Sequence, residues 1–324
     1  MQRLISAILT VLLFGTMLFC PEMAQAQSYP TKPIRFVIPF GPGSATDALA
    51  RITGNDMAQA LGQPIVVVHK PGADGALAAV DVQRSAPDGY TFLFGTNSPL
   101  AVVPNLRKEP PYNALKDFTP VTFLGDNTFF IVVHPSIPAT SIKELVAYAK
   151  ANPGKLNHAA GNTYALVATA MFAANNGIEI QAITYKSEPD AILDVLAGRV
   201  QMMNGTPTTV AAHVRDGKLR VLAATFHERS PLMPEVPTIV EAGQPRFPIG
   251  PWFALVGPAG LPAEIVARVN KEVIATFAKP QVREQLQKHG FMPRTSTPEE
   301  LARYMEEQIA VWDKALKSAG IERQ

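Results

Sequence analysis

Cysteine is almost absent from this 324-residue chain: Cys20 is the only one. It lies inside an N-terminal segment that reads as a removable leader. The working chain is therefore expected to have no disulfide, no thiol nucleophile and no thiolate metal site. Catalytic signatures are missing too. There is no G-x-S-x-G turn, no phosphate-loop lysine motif and no H-E-x-x-H pair. Gly41-Pro42-Gly43 lacks the third glycine of a dinucleotide loop, because position 46 is Thr46. The histidines are His69, His134, His158, His213, His227 and His289, none at metal-ligand spacing from another. Each reads as a surface or loop residue. No evident pair of carboxylates follows a strand. With a net charge of +2 and no basic stripe, nucleic acid is not an expected partner. No metal and no cofactor is called for.

The leader has three parts: Met1-Gln2-Arg3 with one positive charge, an apolar run over 4–19, and the small-x-small site Ala24-Gln25-Ala26. The expectation is a signal peptide over 1–26, cleaved after Ala26, with export to the periplasm. A transmembrane anchor is the first alternative, but the run is shorter than the ~20 residues a bilayer needs. A lipoprotein attached at Cys20 is the second, but Phe19 is bulky where such a signal wants a small residue. The roughly 300 residues that remain are enough for two lobes around sizeable cores.

Strand-like and helical patterns then alternate. Strands are expected near 34–40, 65–69, 90–94, 129–134, 156–160, 181–185, 200–203, 219–225 and 253–256. Helices are expected between them, and three more at 262–278, 280–289 and 298–318. This is the pattern of an α/β protein with helices on both faces of its sheets. Loop composition marks crossings between lobes near 124–128 and in the Pro- and Gly-rich stretch 231–251. Lobe 1 is then discontinuous, 27–126 plus 250–324, and lobe 2 is 127–249. The cleft between them is the natural ligand site.

The chemistry is concentrated where helices start just after strands. Ser44 and Asp47 have capping-box spacing behind Gly41-Pro42-Gly43, as do Ser187 and Asp190 further on. Ser98-Pro99 and Thr206-Pro207 read as cap plus first helical residue. Gly161-Asn162-Thr163 joins a strand to a helix. Such junctions lie at the carboxyl edge of an open sheet, where ligands bind. They expose unpaired N–H groups and the positive end of the helix dipole, which together suit an anion. Asp47 reads as a helix cap beside the site, since its charge repels an anion.

The chain resembles the Bug family, the extracytoplasmic solute receptors of tripartite tricarboxylate transporters. The resemblance rests on Tyr29-Pro30-Thr31-Lys32-Pro33-Ile34, the loop from Pro39 to Asp47, Lys70-Pro71-Gly72-Ala73 and Ala86-Pro87-Asp88-Gly89-Tyr90. It continues through Asn152-Pro153-Gly154-Lys155, Gly217-Lys218-Leu219-Arg220 and Pro234-Glu235-Val236-Pro237-Thr238. It implies a two-lobed α/β periplasmic binding protein closing like a flytrap, with a parallel-rich mixed sheet flanked by helices in each lobe. It also implies a small carboxylate ligand, held largely by backbone N–H groups. The protein is then a binding protein and not an enzyme, a monomer that serves transporter subunits or a sensor. A secreted hydrolase of a carboxylate ester is the alternative, but Ser44 and Ser98 have no evident base.

The expected contacts are Phe40, Gly41, Gly43, Ser44, Ala45 and Thr46 in the first loop, and Thr96, Asn97 and Ser98 in the second. Gly161, Asn162, Thr163 and Tyr164 follow in the third, with Asn204 from a later strand. Family members that bind amino acids tend to carry an aspartate in the region of Asn204-Gly205-Thr206. Its absence here disfavours an amino-acid ligand, and Tyr164 suits an aliphatic or aromatic acid.

Overall fold

The computed structural model describes residues 29–230 and 232–323. The expected leader lies outside the described residues. Strand β1 (Ile34–Ile38) is a continuous apolar run with Ile34, Phe36, Val37 and Ile38 buried. Such a strand is stable only where helices cover both of its faces. Helix α1 (Ala45–Leu61) covers one of them with Leu49, Met57 and Leu61 and stops at Gly62, whose backbone is left-handed. Strand β2 (Ile65–His69), helix α2 (Ala76–Gln83), strand β3 (Thr91–Thr96), the short helix α3 (Val103–Leu106) and strand β4 (Phe118–Asn127) follow.

The chain then builds a second sheet. It runs through β5 (Phe130–Val133), α4 (Ile142–Ala151), β6 (Asn157–Ala160), α5 (Thr163–Asn176), β7 (Gln181–Thr184), α6 (Glu188–Leu196), β8 (Met202–Gly205), α7 (Pro207–Arg215) and β9 (Arg220–Ala224). It returns to the first sheet with β10 (Trp252–Pro258), α8 (Ala263–Ala278), α9 (Pro280–Gln287), β11 (Phe291–Pro293) and α10 (Pro298–Ser318).

The first sheet has the order β11-β4-β10-β3-β1-β2 and the second β7-β6-β8-β5-β9. Both are mixed. β1 runs parallel to β2 and β3, with Phe36 opposite Phe92, while β10 is antiparallel to β3 and β4. In the second sheet β6 is parallel to β7 and β8, and β5 is antiparallel to β8 and β9. One core fills the space between the first sheet and helices α1 and α8, and another lies within the second sheet's outer face. A third runs through both sheets, joined by Phe129, Tyr164 and Trp312. Tyr164 is the link: its ring packs 4.9 Å from Phe129 and 6.4 Å from Trp312 on α10.

Two strands were not anticipated. β4 carries Pro120, a residue that normally argues against a strand interior. Its pairing with β10 shifts register twice, which is how the ladder absorbs the irregular positions. β11 is three residues long, too short for any periodicity. His158 also departs from its reading as a surface residue: it is fully buried on β6.

Candidate functional site

The strand-to-helix junctions do meet, but their hydrogen bonds differ from simple capping boxes. Ser44 Oγ accepts the Asp47 N–H at 3.3 Å, as a cap does. The return bond is different: Asp47 accepts the Gly43 N–H at 3.0 Å, plus Arg51 Nε at 2.8 Å and His69 Nε2 at 2.9 Å. Gly43 has φ 79°, so the loop needs a residue without Cβ to deliver that N–H. Burial alone raises the Asp47 carboxyl, but Gly43, His69 and Arg51 outweigh it and hold it below its ordinary value. Its charge is thus satisfied inside the first lobe.

Ser98 is not a helix cap. It opens one π-helical turn, Ser98–Val102, and its N–H is bonded to Thr96 Oγ1 at 3.3 Å. Ser187 does not cap α6 either, because its hydroxyl donates to Asp190 at 2.8 Å instead. Asn162 caps α5, accepting the Ala165 N–H at 2.9 Å.

Between the two sheets these junctions line a tight cavity of about 30 Å³, open on one side. Ten expected residues line it: Phe40, Ser44, Ala45, Thr46, Thr96, Asn97, Ser98, Gly161, Asn162 and Tyr164. Gly41 and Gly43 shape the loop without lining the cavity. Instead they face the second lobe, where a Cβ on Gly41 would lie 3.5 Å from Ser187 Oγ and one on Gly43 3.9 Å from Pro189. Thr163 lines the adjoining cavity of about 250 Å³ and donates to Asp74 Oδ1 at 3.1 Å, a bond between the lobes. Asn204 is turned into the core, where its N–H meets His158 Nε2 at 3.2 Å and its side chain meets Thr169 at 2.9 Å. Tyr164 lines the cavity, while its hydroxyl is held by Thr225 at 2.8 Å.

Sequence reasoning missed Phe129, Glu188, Thr206, Pro251 and Phe253, which complete the lining. The most consequential is Glu188. Its Oε2 accepts both the N–H and the hydroxyl of Thr206, at 2.8 and 2.7 Å, and its Oε1 accepts Asn162 Nδ2 at 2.9 Å. Burial pushes this carboxyl up, against the opposing pull of those donors. A signal was available: Glu188 sits at the first position of a helix that follows a strand. No lysine, arginine or histidine lines this cavity. Lys186 lines the adjoining one.

The donors that remain free are informative. The amides of Ala45 and Thr46, at the start of α1, have no hydrogen-bond partner among the described residues. The Nδ2 of Asn97 is buried with none either. The lining is therefore rich in unpaired N–H groups and free of positively charged side chains, which is an arrangement for holding an anion by hydrogen bonds.

Two mixed α/β units connected by two crossings, with a cavity at facing strand ends, define a two-lobed solute-binding protein. The chain belongs to the tripartite tricarboxylate transporter family receptors, whose family model matches residues 49–321. It is 34% identical to protein BugT of Bordetella pertussis over 298 residues, covering 91% of each chain. An R. palustris protein solved with adipate is 32% identical with a TM-score of 0.88, covering 91% of this chain and 100% of that one. MatC from Rhodopseudomonas palustris, solved with bound malate, is 29% identical with a TM-score of 0.83, covering 89% and 100%. No helix among the described residues is long and apolar enough to cross a membrane.

Proposed function

We propose that this protein is a periplasmic receptor that captures a small organic carboxylate and hands it to the membrane subunits of a tripartite transporter or to a sensor. The observation that carries this reading is the set of unpartnered donors, Ala45 N–H, Thr46 N–H and Asn97 Nδ2, around a cavity without a cationic side chain. A carboxylate placed there receives several charge-assisted hydrogen bonds, each worth about 1.5–3 kcal/mol. The dipole of α1 adds up to about 2 kcal/mol at a partly buried site. The apolar rings of Phe40, Phe129, Tyr164 and Phe253 would take the body of the acid. The relatives solved with adipate and malate support the same class of ligand.

The chain acts as a monomer in this reading, with lobe 1 over 27–126 and 250–324 and lobe 2 over 127–249. The connections beyond Asn127 and Ala224 serve as the hinge. Bonds such as Thr163 to Asp74 belong to the closed form.

A thermal-shift panel of aliphatic, aromatic and amino-substituted carboxylates tests the reading. Ligand at about 100 times its dissociation constant adds about 2.7 kcal/mol of stability. If carboxylates leave the melting temperature unmoved and neutral solutes raise it, the cavity is not an anion site.

A further inference from the structure

The carboxylate of Glu188 is out of place in an anion site. It is only 6% exposed, it lines the cavity proposed above for a ligand carboxylate, and no positively charged side chain lines that cavity with it. Its own bonds are uneven. Oε2 accepts the Thr206 N–H and hydroxyl, which occupy its two lone pairs, and Thr209 lies within hydrogen-bonding reach as well. Oε1 accepts Asn162 Nδ2, and a carboxylate oxygen has room for a second donor.

The backbone holds Glu188 firmly. A Cβ on Gly161 would lie 2.6 Å from Glu188 N and Cα, so the third loop packs directly against the start of α6. The acceptor is therefore a fixed part of the lining. A buried acceptor left unpaired when ligand fills the cavity costs about 1–3 kcal/mol, and more when it carries charge. A ligand that supplies a donor avoids that cost, and a ligand that brings a bare carboxylate oxygen to the same place adds repulsion.

We infer that Glu188 is a specificity-determining residue: the ligand carries, besides its carboxylate, an N–H or O–H group that donates to Glu188 Oε1. Amino- or hydroxy-substituted carboxylates are then bound in preference to unsubstituted acids of the same skeleton. This reverses the expectation drawn from Asn204-Gly205-Thr206, because the acidic group enters from a different helix and reaches the same neighbourhood through Thr206. The inference rests on the carboxylate reading of the cavity.

Calorimetric titration of the full chain with three matched sets tests it: succinate, malate and aspartate; adipate, α-hydroxyadipate and α-aminoadipate; benzoate, salicylate and anthranilate. In whichever set binds, the substituted acids should bind about tenfold tighter or more than the unsubstituted one. The amino member leads if Glu188 pairs with a cation, and the hydroxy member leads if a neutral donor suffices. In Glu188→Ala the ratio should collapse towards one. Equal affinities within a set in the unaltered protein overturn the inference and leave the carboxylate site standing, and that comparison needs no variant to fold. A ratio that survives in a folded Glu188→Ala protein also overturns it. Tighter binding of the unsubstituted acids points instead to a protonated Glu188 donating to the ligand, which is incompatible with the inference. Failure of all three sets overturns the carboxylate reading itself and this inference with it.

Discussion

Asn97 is 3% exposed and keeps an unpartnered amide hydrogen donor beside the cavity. A buried donor without a partner destabilises a ligand-free protein, and its retention makes sense if a ligand pairs with it. Asn97→Ala should therefore weaken ligand binding by about 1.5–3 kcal/mol, roughly tenfold to a hundredfold in Kd, without lowering the melting temperature of the free protein. Titration calorimetry and a thermal melt on the same sample check both halves. His158 makes a different prediction. Burial pushes its imidazole down to about 3, so the folded protein keeps it neutral. The unfolded chain takes up a proton near pH 6.5. Below that pH the unfolded state holds a proton the folded state lacks, so stability falls as the pH drops from about 6.5 towards 3. The slope contributed by this one group is at most about 1.4 kcal/mol per pH unit. Above 6.5 both states are neutral and the group adds no pH dependence. Denaturant titrations between pH 4 and 7 (roughly that window) should show a shallower acid limb in His158→Gln. An unchanged limb would mean that other groups carry it.

At the scale of elements, the site depends on how closely the third loop approaches α6. Gly161 has an ordinary backbone, so its requirement is spatial: there is no room for a methyl group against the Glu188 backbone. Gly161→Ala should push α6 away from α5, separate Asn162 from Glu188 and cost about 1–3 kcal/mol in stability. Affinity should fall in parallel, because both elements contribute to the lining. A melt indistinguishable from that of the unaltered protein would show that the loop can relax outward.

At the scale of the whole molecule, the lobes are tied together across the cleft by Asp74. It sits at φ 57° and ψ 28°, next to Ala73 at φ 49°, both in the left-handed region that side chains disfavour. From there its carboxylate accepts Thr163 Oγ1 from the other lobe and lies 3.4 Å from Arg107 on its own. Strain of this kind persists where the surrounding structure holds it. Asp74→Gly relieves about 1–2 kcal/mol of it while removing the bond between lobes. The expected result is a free protein that melts no earlier, has a larger radius of gyration in solution scattering, and binds ligand several-fold more weakly. An unchanged radius together with unchanged affinity would mean that the bond does not hold the lobes closed.

The alternation of apolar runs with capped helices was legible because it depends on neighbours in the chain. α1 over Ala45–Leu61, β2 over Ile65–His69 and α10 over Pro298–Ser318 follow from local pattern and end signals alone. So do the first-turn residues Ser44, Ala45 and Thr46, which lie at a strand-to-helix junction whatever the fold. Strand β4, with its proline and its bulged pairing, exists because β10 and β11 lie on either side of it, and both arrive more than a hundred residues later. The same holds for the site. Asn204 has the residue type of a ligand contact, but the pleat of β8 turns its side chain towards Thr169 in the core. Glu188 has the residue type of a helix start on the surface, yet the crossing of α6 over Gly161 brings it into the cavity beside Thr206. Local sequence determined which backbone donors exist, because helix geometry leaves the first amides unpaired. Only the packing of one lobe on the other decided that those donors share a cavity with a carboxylate, because that meeting requires contacts between residues far apart in the chain.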